Sequence, residues 1–143
     1  ITYGDWSSDV CSSDLTTAVD RTSIPGMGDF VQAEVDGYSV DMQSYDIDFD
    51  MAFAYQGLPD DQCQASHVGY VIKGKFTVTG TEDSEEVFEG GDAFVIKPGH
   101  VVSVAAGTEF VVFTPIEEAN AQAEVVQANM AKYAQEHGIE APA

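Results

Sequence analysis

Two histidines and one cysteine are the residues of this chain whose types and spacing could do chemistry. His67 lies seven residues before Gly74 in the run CQASHVGYVIKG, and His100 ends the run GDAFVIKPGH, which begins at Gly91. Cys63 comes four residues before His67. Imidazole nitrogen and thiolate sulfur are ligands that suit Zn, Fe, Ni or Cu. The three residues form a candidate metal site, provided that the fold brings two distant segments together.

The segments around these residues alternate apolar and polar side chains, which is the period of half-buried strands. The pattern predicts about seven or eight short strands with a turn every 8–12 residues, typical of an antiparallel sandwich or barrel. No βαβ alternation is present, which argues against a parallel sheet. The predicted strands are 30–35, 47–55, 68–79 with a break near Gly74, 86–88, 93–96, 101–105 and 109–113.

Loops and one helix complete the predicted elements. Residues 16–28 show little periodicity and predict a lead-in loop, and Asp36-Gly37 predicts a tight turn. After Thr114 the period becomes helical, which predicts a helix over roughly 117–137 with Thr114 as its N-cap and Gly138 as its C-cap. The residues on one face of that helix are Val126, Met130, Tyr133 and His137.

Composition limits the possible partners. The chain has 143 residues, which suits one domain. It carries 25 acidic residues against 5 basic ones, a formal charge of −20, so its field repels nucleic acid and anionic membranes. No apolar run approaches the roughly 20 residues that span a bilayer, and no signal peptide is evident. These features predict a cytoplasmic protein.

Residues 5–15, DWSSDVCSSDL, resemble the conceptual translation of a sequencing adapter, a contaminant of metagenomic assemblies. This interpretation predicts three parts: a non-native or disordered segment over 1–22, a β-barrel over 23–115, and a helix with a tail over 116–143. Cys63 is then the single native cysteine, which fits a reducing compartment. If the segment is native, Cys11 and Cys63 could pair.

The two histidine-containing runs resemble the two motifs of the cupin superfamily over roughly residues 47–113. The resemblance rests on the glycine framework, with Gly74 in the first motif and Gly91 and Gly99 in the second. It implies an all-β fold: a single RmlC-like jelly-roll barrel, or double-stranded β-helix, with the C-terminal α-helix laid across it. It also implies a homodimer that binds a small molecule.

The ligand positions of the cupin motifs are only partly kept. His67 falls where the first motif has its glutamate. The two histidines of that motif fall on Asp60 and Gln62, or on Asp61 and Cys63 if the spacing is shorter by one.

In the second motif the histidine position falls on Val102, and His100 lies two residues earlier on the same strand face. Two inward histidines therefore remain. The candidates for a third ligand are Cys63, Gln62, Asp61 and Gln64.

Three functions are compatible with these residues. The first is an enzyme with a divalent transition metal (Zn, Fe, Mn, Ni or Cu) on His67 and His100. Its third ligand is Cys63 or Gln62, and its pocket is lined by Tyr55, Tyr70 and Val102.

The second function is a non-catalytic ligand-binding or interaction module with a degenerate metal site. The third is a metal-free sugar-nucleotide epimerase with a His67–Asp92 dyad, which the acidic surface disfavours. A purely structural role is also open, in which both imidazoles bond to each other, to Tyr70 or to backbone. The sequence leaves open whether the chain is an enzyme.

Overall fold

The computed structural model describes residues 19–140. The adapter-like segment 5–15 and Cys11 lie outside the described residues. Ten strands and one long helix, here α1, follow one another along this part of the chain. They are β1 (Val19–Ile24), β2 (Gly28–Val35), β3 (Tyr38–Tyr45), β4 (Phe49–Asp50), β5 (His67–Lys73), β6 (Lys75–Thr79), β7 (Glu85–Glu89), β8 (Ala93–Ile96), β9 (Val101–Val104), β10 (Thr108–Pro115) and α1 (Ile116–Glu136).

The strands form two antiparallel sheets. One has six strands in the order β1-β2-β3-β10-β5-β8, and the other has four in the order β4-β9-β6-β7. The chain passes from one sheet to the other at Gly74, the one residue between β5 and β6. Gly74 has a φ of +80°, and a Cβ there would collide with Thr108. Only glycine fits this corner without strain.

The core lies between the two sheets and is rich in aromatic rings. Tyr45, Phe94 and Phe110 come from the six-stranded sheet, and Phe49 and Phe76 come from the four-stranded one. Their rings meet edge-to-face or offset, as at Phe76 and Phe94, whose centroids are 5.1 Å apart. The observed fold is the predicted one: all-β with a C-terminal α-helix.

The N-terminal half differs from the prediction in two places. The lead-in loop expected over 16–28 contains β1, which pairs with β2. The strand β3 was not predicted, because its inward positions Ser39, Asp41 and Gln43 are polar and hide the alternation. The predicted turn at Asp36-Gly37 does join β2 to β3, with φ values of +53° and +84°.

Two further boundaries need correction. The strand predicted over 47–55 is a strand only at Phe49–Asp50, after which a 3₁₀ helix, Met51–Tyr55, begins with the Asp50 carboxylate accepting from Ala52 N. The helix α1 lies within a residue of its predicted bounds, but Thr114 does not cap it. Within residues 19–140, no helix has the length and apolarity to cross a bilayer.

Candidate metal centre

Backbone hydrogen bonds bring Cys63 and His100 together. Cys63 lies in the loop before β5 and His100 in the turn before β9, and the two form an isolated antiparallel bridge. Cys63 N donates to His100 O at 2.8 Å, and Gly99 N donates to Cys63 O at 2.7 Å. Gly99 has a φ of +88°, which closes the Pro-Gly turn ahead of His100.

His67 opens β5 and pairs in register with Ile96 of β8. Its ring makes one contact from each nitrogen. Nε2 lies 3.5 Å from Cys63 Sγ, and Nδ1 lies 2.7 Å from Thr114 Oγ1 on β10. The Thr114 hydroxyl therefore orients the imidazole that faces the thiol.

Cys63, His67 and His100 form one compact cluster. A ligand atom from each lies within 4.8 Å of the others, and the two ring centroids are 5.1 Å apart. His100 Nδ1 donates to Lys97 O at 2.7 Å, which leaves Nε2 with the lone pair. That Nε2 atom is buried and has no hydrogen-bond partner among residues 19–140. An orphaned buried acceptor is rare and calls for an explanation such as an ion.

The donor set fits a metal ion, and one pair of its ligand atoms already has the spacing that an ion imposes. A tetrahedral Zn²⁺ with bonds of about 2.3 Å to sulfur and 2.0 Å to nitrogen holds those atoms about 3.5 Å apart, and Cys63 Sγ and His67 Nε2 already have that separation. Metal-bound imidazoles usually donate their second N–H to an oxygen acceptor such as a carboxylate, a backbone carbonyl or a water. Lys97 O and Thr114 Oγ1 supply those acceptors here.

Burial keeps both imidazoles neutral at pH 7. It lowers the pKa of His67 to about 4, with His100 adding to the shift and the Glu118 carboxylate opposing it. It also lowers the pKa of His100, although the Lys97 carbonyl opposes that change. Neutral imidazoles are the form that binds metals. Burial raises the pKa of the Cys63 thiol, so metal binding must displace its proton.

Two side chains of α1 form an outer layer that the sequence interpretation missed. Gln122 Nε2 donates to Cys63 Sγ at 3.1 Å, while its Oε1 accepts from Gln64 N at 3.0 Å. One turn earlier, the Glu118 carboxylate accepts from Ser66 N at 2.6 Å. The two residues are four apart on one helix face and hold the loop that runs from Cys63 to His67.

Two cavities adjoin the cluster at His67. The inner cavity, of about 100 Å³, lies in the barrel among mostly apolar side chains. The second, here called the cleft, has about 250 Å³ and lies between the inner face of β2 and β3 and the helix α1. Residues shared by both linings are Gln43, Met51, Tyr55, His67 and Val112.

The predicted pocket residues lie in different places. Tyr55 is buried and lines both cavities, and Val102 lines the inner one. Tyr70 lines neither: it points outward from β5, 46% exposed, because its position alternates with buried Val71. Tyr70 was a candidate hydrogen-bond partner of the two imidazoles. Their partners are instead the Thr114 hydroxyl, for His67, and the Lys97 carbonyl, for His100.

The other candidate ligands face elsewhere. Gln62 lies against Gly99 and lines neither cavity beside His67. The Asp61 carboxylate accepts from Gly57 N, and the Gln64 amide donates to Pro59 O and Gln62 O. Asp92 accepts from Glu89 N in an exposed turn, so it does not form a dyad with His67.

No protein-family model matches the chain, and no curated protein matches it. Solved structures similar to it include an RmlC-like cupin from Shewanella frigidimarina, at 18% identity and a TM-score of 0.47 over 68% of this chain and 84% of that one. KdgF from Halomonas sp. is 17% identical, with a TM-score of 0.45 over 67% and 86%.

A cupin-2 domain protein from Shewanella frigidimarina is 13% identical, with a TM-score of 0.42 over 73% and 90% of the two chains. Identities this low say nothing about what the present chain binds. The fold is clear from the chain itself: two facing antiparallel sheets, a glycine corner at Gly74 and a second at Gly99. The chain folds as an antiparallel jelly roll of two facing sheets, and cupins are among the solved structures that it resembles.

Proposed function

We propose that Cys63, His67 and His100 hold one divalent transition metal and that the protein acts on a small molecule at this centre. The observation that carries the proposal is the buried, unpartnered Nε2 of His100, in a cluster with a thiol and a second neutral imidazole. Among Zn, Fe, Mn, Ni and Cu, this mixed sulfur and nitrogen set favours Zn²⁺.

Three protein ligands leave a fourth position open, as in catalytic zinc sites. A metal bound there would supply Lewis acidity or activate a bound water. The protein's own groups orient the ligands: Thr114 and the Lys97 carbonyl hold the rings, and Gln122 donates to the sulfur. The cleft supplies access from outside the barrel, and its size restricts the substrate to a small molecule.

The alternative is a non-catalytic binding or interaction module that keeps the barrel without a metal. One observation favours it: the Cys63 sulfur already has Gln122 and His67 as neighbours, a contact set that a neutral thiol also satisfies. The metal site requires Cys63 to be reduced, and the binding module is compatible with a reduced Cys63. A reducing, cytoplasmic location is therefore part of the proposal.

Metal analysis of protein purified without an affinity tag distinguishes the two functions. We expect one equivalent of metal per chain in the wild type, and loss of that metal in Cys63→Ser and His100→Ala. Two matched controls should keep it: His137→Ala, because His137 is exposed and stacks on Tyr133, and Cys11→Ser. A wild type that is metal-free and takes up no Zn²⁺ on dialysis would overturn the metal proposal and leave the binding module.

We further propose that the partner is a second copy of this chain, seated on the outer face of the six-stranded sheet. Eight large apolar side chains there are 40–67% exposed, and the outward positions of β3 and β5 carry no acidic residue. In a chain of charge −20, the part of this face that β3 and β5 form carries no acid to oppose a second copy, and Asp29 and Glu109 lie at one end of the face beside Ser44. The eight are Val35, Tyr38, Met42, Val68, Tyr70, Ile72, Val95 and Phe113.

Light scattering during size-exclusion chromatography tests the dimer. The wild type should elute as a dimer, and Val68→Lys should shift it to monomer because a charge is placed in the centre of the face. Val87→Lys is the matched control, since Val87 is 49% exposed on β7 of the other sheet. A monomeric wild type, or equal dissociation by both variants, would contradict this surface.

A further inference from the structure

The cleft beside the metal centre has an ordered polar wall. On the inner face of β2 and β3, Gln32 Nε2 donates to Ser39 Oγ at 3.0 Å, and Ser39 Oγ donates to one oxygen of Asp41 at 3.0 Å. This chain of hydrogen bonds fixes the Asp41 carboxylate in the lining of the cleft, which also contains Cys63 and His67. Ser39 and Gln32 therefore hold the Asp41 carboxylate in one orientation toward the cleft.

No cationic side chain of residues 19–140 offsets the charge of that carboxylate. Asp41 is the one carboxylate in the lining, whose other polar members are neutral amides, hydroxyls, the thiol and the imidazole, and no Lys or Arg of residues 19–140 lines it. The ion pairs found in that range, Lys73–Glu109 and Lys132–Glu136, lie elsewhere. Burial raises the pKa of Asp41, and only the Ser39 hydroxyl opposes the change.

We propose that the cleft binds a small molecule carrying a protonated amine, with the ammonium group on Asp41 and the rest of the molecule extending toward Cys63 and His67. The second half of this statement rests on the proposed function. A carboxylate or phosphate group placed beside Asp41 would meet a like charge, with no Lys or Arg in the lining to offset it. An ammonium group supplies the missing charge and three donors.

Three probes of equal length test the class of ligand: butylamine, butanol and butyrate. Each is titrated into ¹⁵N-labelled protein in buffer with added salt, which screens non-specific attraction to the acidic surface. We expect butylamine to shift the amide resonances of β3 and α1, and butanol and butyrate to leave them in place. Shifts confined to residues outside the cleft would overturn the proposal.

The deciding variant is Asp41→Asn, compared with Asp46→Asn, an exposed change of the same charge. Loss of a charge-assisted hydrogen bond should weaken butylamine binding at least about tenfold in the first variant and leave it unchanged in the second. Equal affinity in the two variants would contradict the inference. Ser39→Ala tests the same wall without altering charge, and should weaken binding by a smaller factor.

The titration is run on metal-free and zinc-loaded protein, which separates this inference from the metal proposal. Amine binding that depends on Asp41 in protein that takes up no zinc supports the inference even though the metal proposal fails. Zinc uptake without amine binding supports the metal proposal and overturns the inference.

Discussion

The barrel interior has two chemically distinct ends. The aromatic end, formed by Tyr45, Phe49, Phe76, Phe94 and Phe110, is held by ring-to-ring contacts within the six-stranded sheet and between the two sheets. The metal end, formed by Cys63, His67, His100 and their hydrogen-bond partners, is polar and borders the cleft. Buried apolar area and the packing of rings hold the first end, whereas directional hydrogen bonds place the side chains of the second.

The largest expected effect on stability is at the aromatic end. Phe76 is 2% exposed and contacts the rings of Phe88, Phe94 and Phe110. Phe76→Ala should reduce the free energy of unfolding by about 3–5 kcal/mol, because it removes buried area and leaves a cavity. Urea denaturation measures the change. The metal content of the folded fraction should stay at the wild-type level, and a parallel loss of metal would show that the two ends are not separable.

The second prediction concerns pH and the metal end. In metal-free protein the pKa of His67 is about 4, against 6.5 for an ordinary histidine. Below pH 6.5 the unfolded chain therefore binds a proton at this ring more readily than the folded chain does. The stability contributed by neutral His67 is fully present above pH 6.5 and is lost as the pH falls to about 4, a loss of about 3 kcal/mol.

Unfolding by urea at a series of pH values, compared between wild type and His67→Gln, measures this contribution. The difference between the two pH profiles isolates the imidazole from carboxylates that titrate in the same range. Zn²⁺ should steepen the wild-type profile, since protons compete with the metal for the ring. Parallel profiles for the two metal-free proteins would contradict the prediction.

A smaller effect is expected in the outer layer of the metal end. Gln122→Leu removes the donor to Cys63 Sγ and the acceptor of Gln64 N. It should lower the free energy of unfolding by about 1–2 kcal/mol. In Co²⁺-substituted protein it should also move the sulfur-to-cobalt charge-transfer band to lower energy, because the sulfur regains electron density. Gln135→Leu, at an exposed position of α1, should change neither quantity, and an unshifted band in Gln122→Leu would exclude a role for Gln122 at the sulfur.

The smallest effect is expected on the surface, away from both ends. Lys73 and Glu109 form an ion pair at 3.9 Å, and the Lys73 side chain is 65% exposed. Lys73→Gln should change the free energy of unfolding by less than about 1 kcal/mol and leave metal content unchanged. The same urea and metal measurements apply. A larger change in either quantity would show that the Lys73 charge contributes to the stability of the aromatic end or to metal binding.

The sequence predicted the elements whose local pattern agrees with their packing. Strand β8 was placed at its observed bounds, 93–96, because Phe94 and Ile96 are buried and alternate with exposed residues. Apolar and small residues alternate over 51–55, a pattern that predicts a strand. The structure has a 3₁₀ helix there, and the ring of Phe53 stacks on Tyr133 of α1. Contacts between residues so far apart in the chain leave no local signal.

The same distinction explains the site. Cys63, His67 and His100 could be named because their residue types are those of ligands. Gln122 and Glu118 could not, since glutamine and glutamate on a helix normally face solvent, and their partners lie more than 50 positions earlier. Asp41 was one acid among 25, and only the fold distinguishes it.

The bridge between Cys63 and His100 consists of main-chain atoms alone. Substitution of either side chain should therefore leave the distance between the two Cα atoms unchanged. Either position can therefore be changed to another ligand residue, such as Asp or His, to alter which ion the barrel selects. The loops that carry the two positions would not need to be redesigned.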